Sequence, residues 1–188
     1  MTWNKIINWD KRTSKKLRLN REYRGWWFLT AFFAHSGDSW WWLTALFLVW
    51  LVDKIWKLFK GKTIQFTAIL AIAILSVAII ILVIKFIVRR SRPKGEWGKI
   101  YRKNDPHSFP SGHAARSFLI ALIALFFGPL WLGIALLVWA ILVSIARVMM
   151  GVHYLSDVIV GMLIGLLWGW VAILLAKPVI SAFPYIFS

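Results

Sequence analysis

Hydrophobic residues along the chain gather in long blocks that polar and basic segments interrupt. A helix needs about 20 apolar residues to cross the hydrocarbon core of a bilayer, and several blocks approach that length. They predict membrane-spanning helices at residues of about 39–58, 63–88, 111–127, 130–149 and 155–176. A polar loop over residues 94–109 and a two-residue turn, Gly128-Pro129, join some of them. The pattern therefore predicts an all-α, polytopic membrane helical bundle with five spans, and a single integral membrane domain over residues 1–188.

The N-terminal segment has a different pattern from the rest of the chain. Residues 1–25 are basic, with tryptophan, isoleucine and leucine interspersed, which is typical of an amphipathic helix lying at the membrane interface. A disordered basic tail is the alternative. Residues 26–37 are apolar and aromatic but too short to cross a bilayer, so we expect them to pack against the bundle or dip into the membrane. The domain thus divides into a basic interfacial segment, 1–37, and a transmembrane bundle, 39–176.

Composition and charge agree with this class of protein. Of the 188 residues, 60% are hydrophobic, and 23 lysines and arginines against 7 acidic residues give a formal net charge of +16. In a soluble protein such a charge would suggest nucleic acid. Here the cations flank apolar spans, so we expect anionic lipid headgroups and phosphate-bearing lipids as partners, and no nucleic acid. The absence of cysteine excludes disulfides, thiolate metal sites and cysteine nucleophiles.

Three polar clusters stand where predicted spans begin or end. In chain order they are Lys85 with Arg92-Pro93, then Pro110-Ser111-Gly112-His113, then Arg147 with His153 and Asp157. With alternating crossings, all three clusters fall on the same face of the membrane. Ionisable side chains at the rim of a bilayer are energetically costly, so their usual role is functional.

The residue types in the first and third clusters suit phosphate chemistry. His153 and Asp157 are four residues apart, so on a helix they would share one face. A carboxylate at one imidazole nitrogen fixes the tautomer and leaves the other nitrogen free to attack or to take a proton. A phosphate carries nearly two negative charges and three strong acceptor oxygens, which Lys85, Arg92 and Arg147 can neutralise.

The second cluster predicts a phosphate site at the start of a helix. Ser111 has the side chain of an N-cap residue, and Gly112 permits a close approach of the backbone. The first amide groups of that helix would point at the phosphate and add the partial positive charge of the helix dipole. Phosphoryl transfer requires mainly such positioning and charge stabilisation.

In this order and spacing, the three clusters resemble the signature of the type 2 phosphatidic acid phosphatase family, membrane enzymes that hydrolyse lipid phosphates and pyrophosphates. The match covers residues 85–157, and the arrangement of spans extends it to about 39–176. One departure is Ala146, because the family usually has serine before the arginine of the third cluster. It concerns one accessory hydrogen bond to phosphate and not the reaction, and Ser144 is not expected to replace that serine.

The resemblance implies a metal-independent hydrolysis through a phosphohistidine intermediate. His153 would be the nucleophile, with Asp157 orienting it, and His113 would protonate the leaving oxygen and then activate water. The phosphate would be bound by Lys85, Arg92, Ser111, Gly112 and Arg147. No metal ion or other cofactor is expected.

The substrate and the orientation are less closely defined by the sequence. We favour an isoprenyl pyrophosphate, with phosphatidic acid and phosphatidylglycerol phosphate as alternatives, because the wide apolar surface suits a lipid. A lipid phosphotransferase using the same phosphohistidine, and a non-enzymatic anion carrier or scaffold, are the alternative functions. The excess of cations on the catalytic face predicts a cytoplasmic active site by the positive-inside rule, with the extracytoplasmic face as the alternative. The sequence does not indicate an oligomeric state.

The remaining polar and small residues are interpreted mostly as structural. We interpret Arg89 and Arg90 as signals of membrane topology, and His35 and His107 as anchors at the membrane interface. Asp105 is interpreted as a turn residue. For Arg116, one turn after His113, a contact with substrate or a headgroup and a purely structural role are equally supported. The glycines spaced by four, Gly161, Gly165 and Gly169, predict close helix packing.

Overall fold

A computed structural model describes residues 3–19, 24–57, 62–94 and 105–182 of the chain. These ranges form seven helices, which are α1 (Trp3–Lys16), α2 (Arg24–Ser36), α3 (Ser39–Trp56), α4 (Lys62–Val88), α5 (Gly112–Phe127), α6 (Leu130–Met149) and α7 (Leu155–Ala182). The predicted all-α class is confirmed for the described residues, where an isolated β-bridge joins Ser91 to His107. Most of the predicted loop over residues 94–109 lies outside the described residues.

The helix boundaries agree closely with the hydrophobic blocks, with one exception. Helix α7 continues beyond the predicted end at residue 176, through Pro178, to Ala182. Three helices of the described chain are long and apolar enough to cross a membrane, namely α4 from Ile64, α6 and α7. The tryptophan-rich α3 and the 16-residue α5 do not meet both conditions. Several apolar helices are thus present, as a multi-pass membrane protein requires, and the count of five spans stays a prediction.

Helix α5 forms the centre of the bundle and packs against α4, α6 and α7. Its residues 114–121 are all buried. A Cβ atom added to Gly165 of α7 would lie 2.0 Å from the carbonyl oxygen of Ala115. One added to Gly161 would lie 2.4 Å from that of Ser111. The backbones of α5 and α7 are therefore in contact, which confirms the predicted close packing at these glycines and brings the start of α5 beside the start of α7.

Helix α2 packs against the end of α6. The buried apolar side chains at this junction are Ala34, Ala146, Met150 and Val152. The prediction that residues 26–37 pack against the bundle is therefore confirmed. Two tryptophans hold the end of α2, since the indole of Trp139 donates to the Ser36 hydroxyl at 2.9 Å and that of Trp42 donates to the Ser36 carbonyl at 3.1 Å.

Helix α1 contacts the start of α7 through polar side chains. Asp10 and Ser14 are buried on its inner face, whereas Ile6 and Trp9 are exposed on its outer face. Residues 3–16 form a helix, and residues 20–23 of the predicted interfacial segment lie outside the described residues. The position of this helix at the membrane interface stays a prediction.

Candidate active site

The three sequence clusters meet at one pocket of about 180 Å³. Its apolar wall is formed by α4, through Val77, Ala78, Ile81 and Leu82. Its other walls contain Lys85, Arg92, Asp105, Gly112, His113, Arg116, Arg147 and His153. Ser111 and Asp157 do not line the pocket, and both are fully buried beside residues that do, Gly112 and His153. Side chains that lie up to 76 positions apart along the chain (77–153) therefore share one site.

His153 lies in the turn between α6 and α7, where Gly151 adopts a φ of +65°. The Nη1 atom of Arg92 is 3.2 Å from Nε2 of His153. Because a guanidinium group donates and never accepts hydrogen bonds, Nε2 must be the unprotonated nitrogen, and Nδ1 carries the proton. Nδ1 faces Oδ2 of Asp157 at 3.6 Å, which is longer than a hydrogen bond. This tautomer leaves the lone pair of Nε2 among the cations of the pocket.

The predicted geometry of the third cluster needs one correction. His153 precedes α7, and its backbone amide donates to the carbonyl of Arg147 at 3.3 Å, so it does not share a helix face with Asp157. The turn nevertheless keeps the two side chains adjacent. Burial lowers the pKa of His153 to about 3, and the nearby Arg147 and Arg92 add to this effect against the opposing contact with Asp157. The imidazole is therefore neutral at neutral pH.

Asp157 is fully buried in the first turn of α7. Its Oδ2 accepts a hydrogen bond from the backbone amide of Tyr154 at 2.9 Å, as the third residue of a capping box does. Its Oδ1 accepts one from Nη1 of Arg90 at 2.7 Å, and the same guanidinium lies 4.1 Å above the ring centre of Tyr154. The interpretation of Arg90 as only a topology signal is therefore wrong, because this side chain holds the carboxylate that faces His153.

Asp105 lies between two of the predicted phosphate-binding cations. Its Oδ2 accepts hydrogen bonds from Nζ of Lys85 and, at 2.7 Å, from Nη2 of Arg92. Its carbonyl oxygen also accepts from Nε of Arg92 at 2.7 Å. Burial raises the pKa of Asp105, but the two cations outweigh this effect and lower it. The interpretation of Asp105 as only a turn residue is therefore wrong. Its carboxylate is paired with the two cations, Lys85 and Arg92, that are predicted to bind the phosphate.

His113 also has a carboxylate partner, which the sequence analysis missed. Its Nε2 lies 2.6 Å from Oδ1 of Asp38, in the segment between α2 and α3. His35 lies 3.6 Å from the other oxygen of Asp38, so it is a neighbour of the site rather than only an interfacial anchor. Burial raises the pKa of Asp38, but the hydrogen bond from His113 and the nearby imidazole of His35 outweigh this effect and lower it. An acidic residue in a break between two apolar segments was the available signal.

The segment before α3 also accepts hydrogen bonds from two buried arginines. Arg147 donates Nη1 to the carbonyl of Ala34 at 3.1 Å. Arg116 donates Nε and Nη2 to the carbonyl of Gly37 at 3.0 and 2.9 Å. Arg116 therefore lines the pocket and keeps the end of α2 beside it, which fits a contact with substrate and a structural role alike.

The start of α5 has the predicted cap. Ser111 precedes the helix in an extended conformation, and its Oγ accepts from the amide of Ala114 at 3.5 Å. Its own amide donates to the carbonyl of Asp157 at 2.9 Å, which fixes the second cluster against the third. A Cβ atom on Gly112 would lie 3.3 Å from Ile81, so glycine lets α5 and α4 approach each other at the pocket.

The pocket has an excess of positive charge. The cations described around it are Lys85, Arg92, Arg116 and Arg147, and the carboxylate among its described walls is Asp105. Opposite charges interact more strongly in such a partly dehydrated site than in water, so the pocket suits a phosphate or a pyrophosphate. Within the described parts of the chain, no three His, Cys, Asp or Glu side chains are grouped so as to hold a metal ion.

Comparisons with known proteins agree with this chemistry. A model described as the PAP2 superfamily matches residues 66–180. The chain is 39% identical over 70 residues to lipid A 4'-phosphatase from Bacteroides thetaiotaomicron, covering 37% of this chain and 31% of that protein. It is 36% identical over 93 residues to undecaprenyl-diphosphatase from Sulfolobus acidocaldarius, covering 48% and 44%. The chain thus spans less than half the length of these relatives.

A solved structure extends the likeness to nearly the whole chain. It is that of a transmembrane PAP2 type phosphatidylglycerolphosphate phosphatase from Bacillus subtilis, with a TM-score of 0.73 at 22% identity. The superposition covers 93% of this chain and 88% of that one. At this level of identity the comparison shows a shared fold.

Proposed function

The chain belongs to the PAP2 superfamily, as its three polar clusters predicted, and from this premise we propose that it hydrolyses a lipid phosphate or pyrophosphate through a phosphohistidine. One observation carries the proposal. His153 and His113 line the same cationic pocket, and each faces a carboxylate, Asp157 and Asp38 respectively. In this proposal His153 is the nucleophile and His113 the acid–base group of one anion site.

In the proposed first step, the substrate phosphate takes the place of the Asp105 carboxylate on Lys85 and Arg92. Arg92 then donates to phosphate oxygens, and its contact with Nε2 of His153 is released. The lone pair of Nε2 attacks phosphorus and forms the N–P bond, while the bond from phosphorus to the leaving oxygen breaks. His113 gives that oxygen its proton, and Asp38 stabilises the imidazolium form that this role requires.

In the second step, a water molecule attacks the phosphohistidine. His113 accepts a proton from the water, the N–P bond breaks, and phosphate leaves with its new oxygen. His153 returns to the neutral form, and His113 regains its proton for the next cycle. Arg147 and the amide groups at the start of α5 stabilise the negative charge on the phosphoryl oxygens in both steps.

A lipid is the proposed substrate because the pocket opens on an apolar wall. Leu82 of that wall is exposed on α4, beside the cation site, so a tail can leave the phosphate along this helix. We favour an isoprenyl pyrophosphate, in line with the relative named undecaprenyl-diphosphatase. Phosphatidylglycerol phosphate and phosphatidic acid are the next substrates to test.

These three lipids form a substrate panel. The purified protein, in detergent with EDTA, is expected to release inorganic phosphate from at least one of them. No acceptor lipid is added, because water is the proposed acceptor. A phosphotransferase would release phosphate only slowly under these conditions and would respond to an added lipid alcohol. Complete dependence on a divalent metal ion would contradict the mechanism, and an anion carrier or scaffold would show no turnover.

We place the pocket on the cytoplasmic face, following the distribution of cations, and single cysteines can test this. Lys94 lies two residues after Arg92, at the end of the bundle that contains the pocket. Lys177 lies near the far end of α7, roughly 33 Å along the helix from its start at Leu155. Both lysines are exposed. The chain has no cysteine of its own. In intact cells an impermeant maleimide is expected to label Lys177→Cys, whereas Lys94→Cys should react only after permeabilisation. The reverse pattern would place the pocket outside.

A further inference from the structure

We propose that helix α1 belongs to the catalytic apparatus, because Asp10 acts through Arg90 to position Asp157 and thereby the nucleophile, His153. This inference rests on the proposed function, since it concerns the same nucleophile. Neither Asp10 nor Arg90 is among the residues that define the three sequence clusters, although Arg90 lies between Lys85 and Arg92 in the sequence. They are positioning residues, and neither lines the pocket.

Arg90 bridges two buried carboxylates. Its Nη1 is 2.7 Å from Oδ1 of Asp157, and its Nη2 is 2.6 Å from Oδ2 of Asp10. The side chain of Arg90 is 21% exposed, whereas those of Asp157 and Asp10 are 0% and 5% exposed. A planar guanidinium with several fixed donors can hold two carboxylates at a set distance and angle, which a lysine cannot do.

Asp10 also holds the start of α7, which carries Asp157. The first amide groups of a helix have no partner within the helix, and Tyr154 offers no short side-chain acceptor at the cap position. Helix α1 supplies the missing acceptors. The amide of Ser156 donates to Oδ1 of Asp10 at 3.0 Å, and the amide of Leu155 donates to Oγ of Ser14 at 2.8 Å.

Ser156 closes this network. Its hydroxyl donates to Oδ2 of Asp10 at 2.5 Å and accepts from Nη1 of Arg90 at 2.7 Å. The residue that follows Ser156 is Asp157, so Asp10 controls both the backbone of that turn and the guanidinium on its carboxylate. A continuous line of contacts thus runs from the buried face of α1 to the imidazole of His153.

The network predicts a specific kinetic effect. Without the guanidinium, the Asp157 carboxylate loses one of its two strong donors and is free to rotate away from Nδ1 of His153. The nucleophile then spends less time in the reactive tautomer and orientation, while the cations that bind the substrate phosphate remain in place. Around metal sites, loss of a residue that orients a functional side chain typically costs about 10–100-fold in activity. We expect a loss of similar size in kcat here, with little change in KM.

The decisive experiment uses the full-length protein in detergent with the best lipid phosphate of the panel. Arg90→Ala is expected to lower kcat about 10–100-fold with KM changed by less than about threefold, and added guanidinium ion should restore part of kcat in a saturable manner. Arg90→Lys should not restore it. The matched control is Arg89→Ala, because that neighbouring side chain is exposed and donates to the carbonyl of Phe86; it should keep wild-type kinetics.

Asp10→Asn provides a second, milder test, because the amide keeps an acceptor for Ser156 but loses the charge that holds Arg90. It is expected to lower kcat and to leave KM and the melting temperature close to wild type. Unchanged kcat in a folded Arg90→Ala protein, or in Asp10→Asn if Arg90→Ala does not fold, would overturn the proposal. Wild-type protein without phosphatase activity would instead overturn the proposed function itself.

Discussion

Replacing His153 with glutamine is expected to abolish phosphate release, with a loss of kcat on the order of 10⁵-fold or more. Glutamine fills a similar volume and can still accept a hydrogen bond from Arg92, but it has no nitrogen lone pair able to form the N–P bond. The buried pocket should therefore remain folded while the covalent step is lost. Released phosphate and trapping of a radiolabelled phosphoenzyme would measure the two effects separately.

The control for this substitution is His107→Gln. His107 stacks edge-on against Phe86 at a ring distance of 6.0 Å and does not line the pocket, so its activity should equal that of the wild type. Residual turnover of His153→Gln above a few per cent of the wild-type rate would show that another group attacks phosphorus.

The same residue determines a feature of the pH profile. The pKa of His153 is lowered to about 3, so in the free protein its imidazole is already neutral throughout the range above that value. Protonation of His153, the proposed nucleophile, is therefore not expected to produce an acid limb of kcat/KM between pH 4 and 7. An acid limb in that range would be assigned to the substrate phosphate, whose second pKa is about 6.

Replacing His113 with asparagine is expected to lower kcat on lipid substrates by about 10²–10⁴-fold, the usual contribution of general acid–base catalysis. The defect should depend on the leaving group. An aryl phosphate with an acidic phenol leaves without a proton, so the first step should proceed in His113→Asn. The second step still needs a base for water, and the phosphohistidine should therefore accumulate.

This prediction distinguishes the two histidines, since His153→Gln should form no phosphoenzyme with either substrate. An equal loss of activity in His113→Asn with lipid and aryl phosphates, without a trapped intermediate, would contradict the acid–base role. Asp38→Asn serves as the companion variant. Its loss should be smaller and in the same direction, because the imidazole remains but its imidazolium form loses the carboxylate at 2.6 Å.

The helices and the site clusters could be predicted from the sequence because both depend on residues that are close together along the chain. A block of apolar residues predicts a helix without reference to the rest of the chain, and most boundaries agree with α3 to α7. The cap at Ser111 follows from a side chain and an amide three residues apart. The family was identified from ordered spacings within residues 85–157, which the match to residues 66–180 confirms.

The acidic partners of the site were not readable in the same way. The chain has 7 acidic residues, and those which the described residues show paired with cations or histidines around the pocket are Asp10, Asp38, Asp105 and Asp157. Three of them were missed or given another interpretation. A single aspartate forms no repeating pattern in the sequence and has no fixed spacing from the residue with which it pairs. Asp38 lies 75 positions from His113, and Asp10 lies 80 positions from Arg90.

The sequence by itself therefore determined the helices, the family and the cations and histidines of the site. Only the tertiary structure decided which carboxylates face them. Buried charges are costly unless they are paired, so a cationic pocket of this kind requires anions close by. Which acid supplies each one depends on how the helices pack, because the contact is made between segments that are distant along the chain and adjacent only after folding.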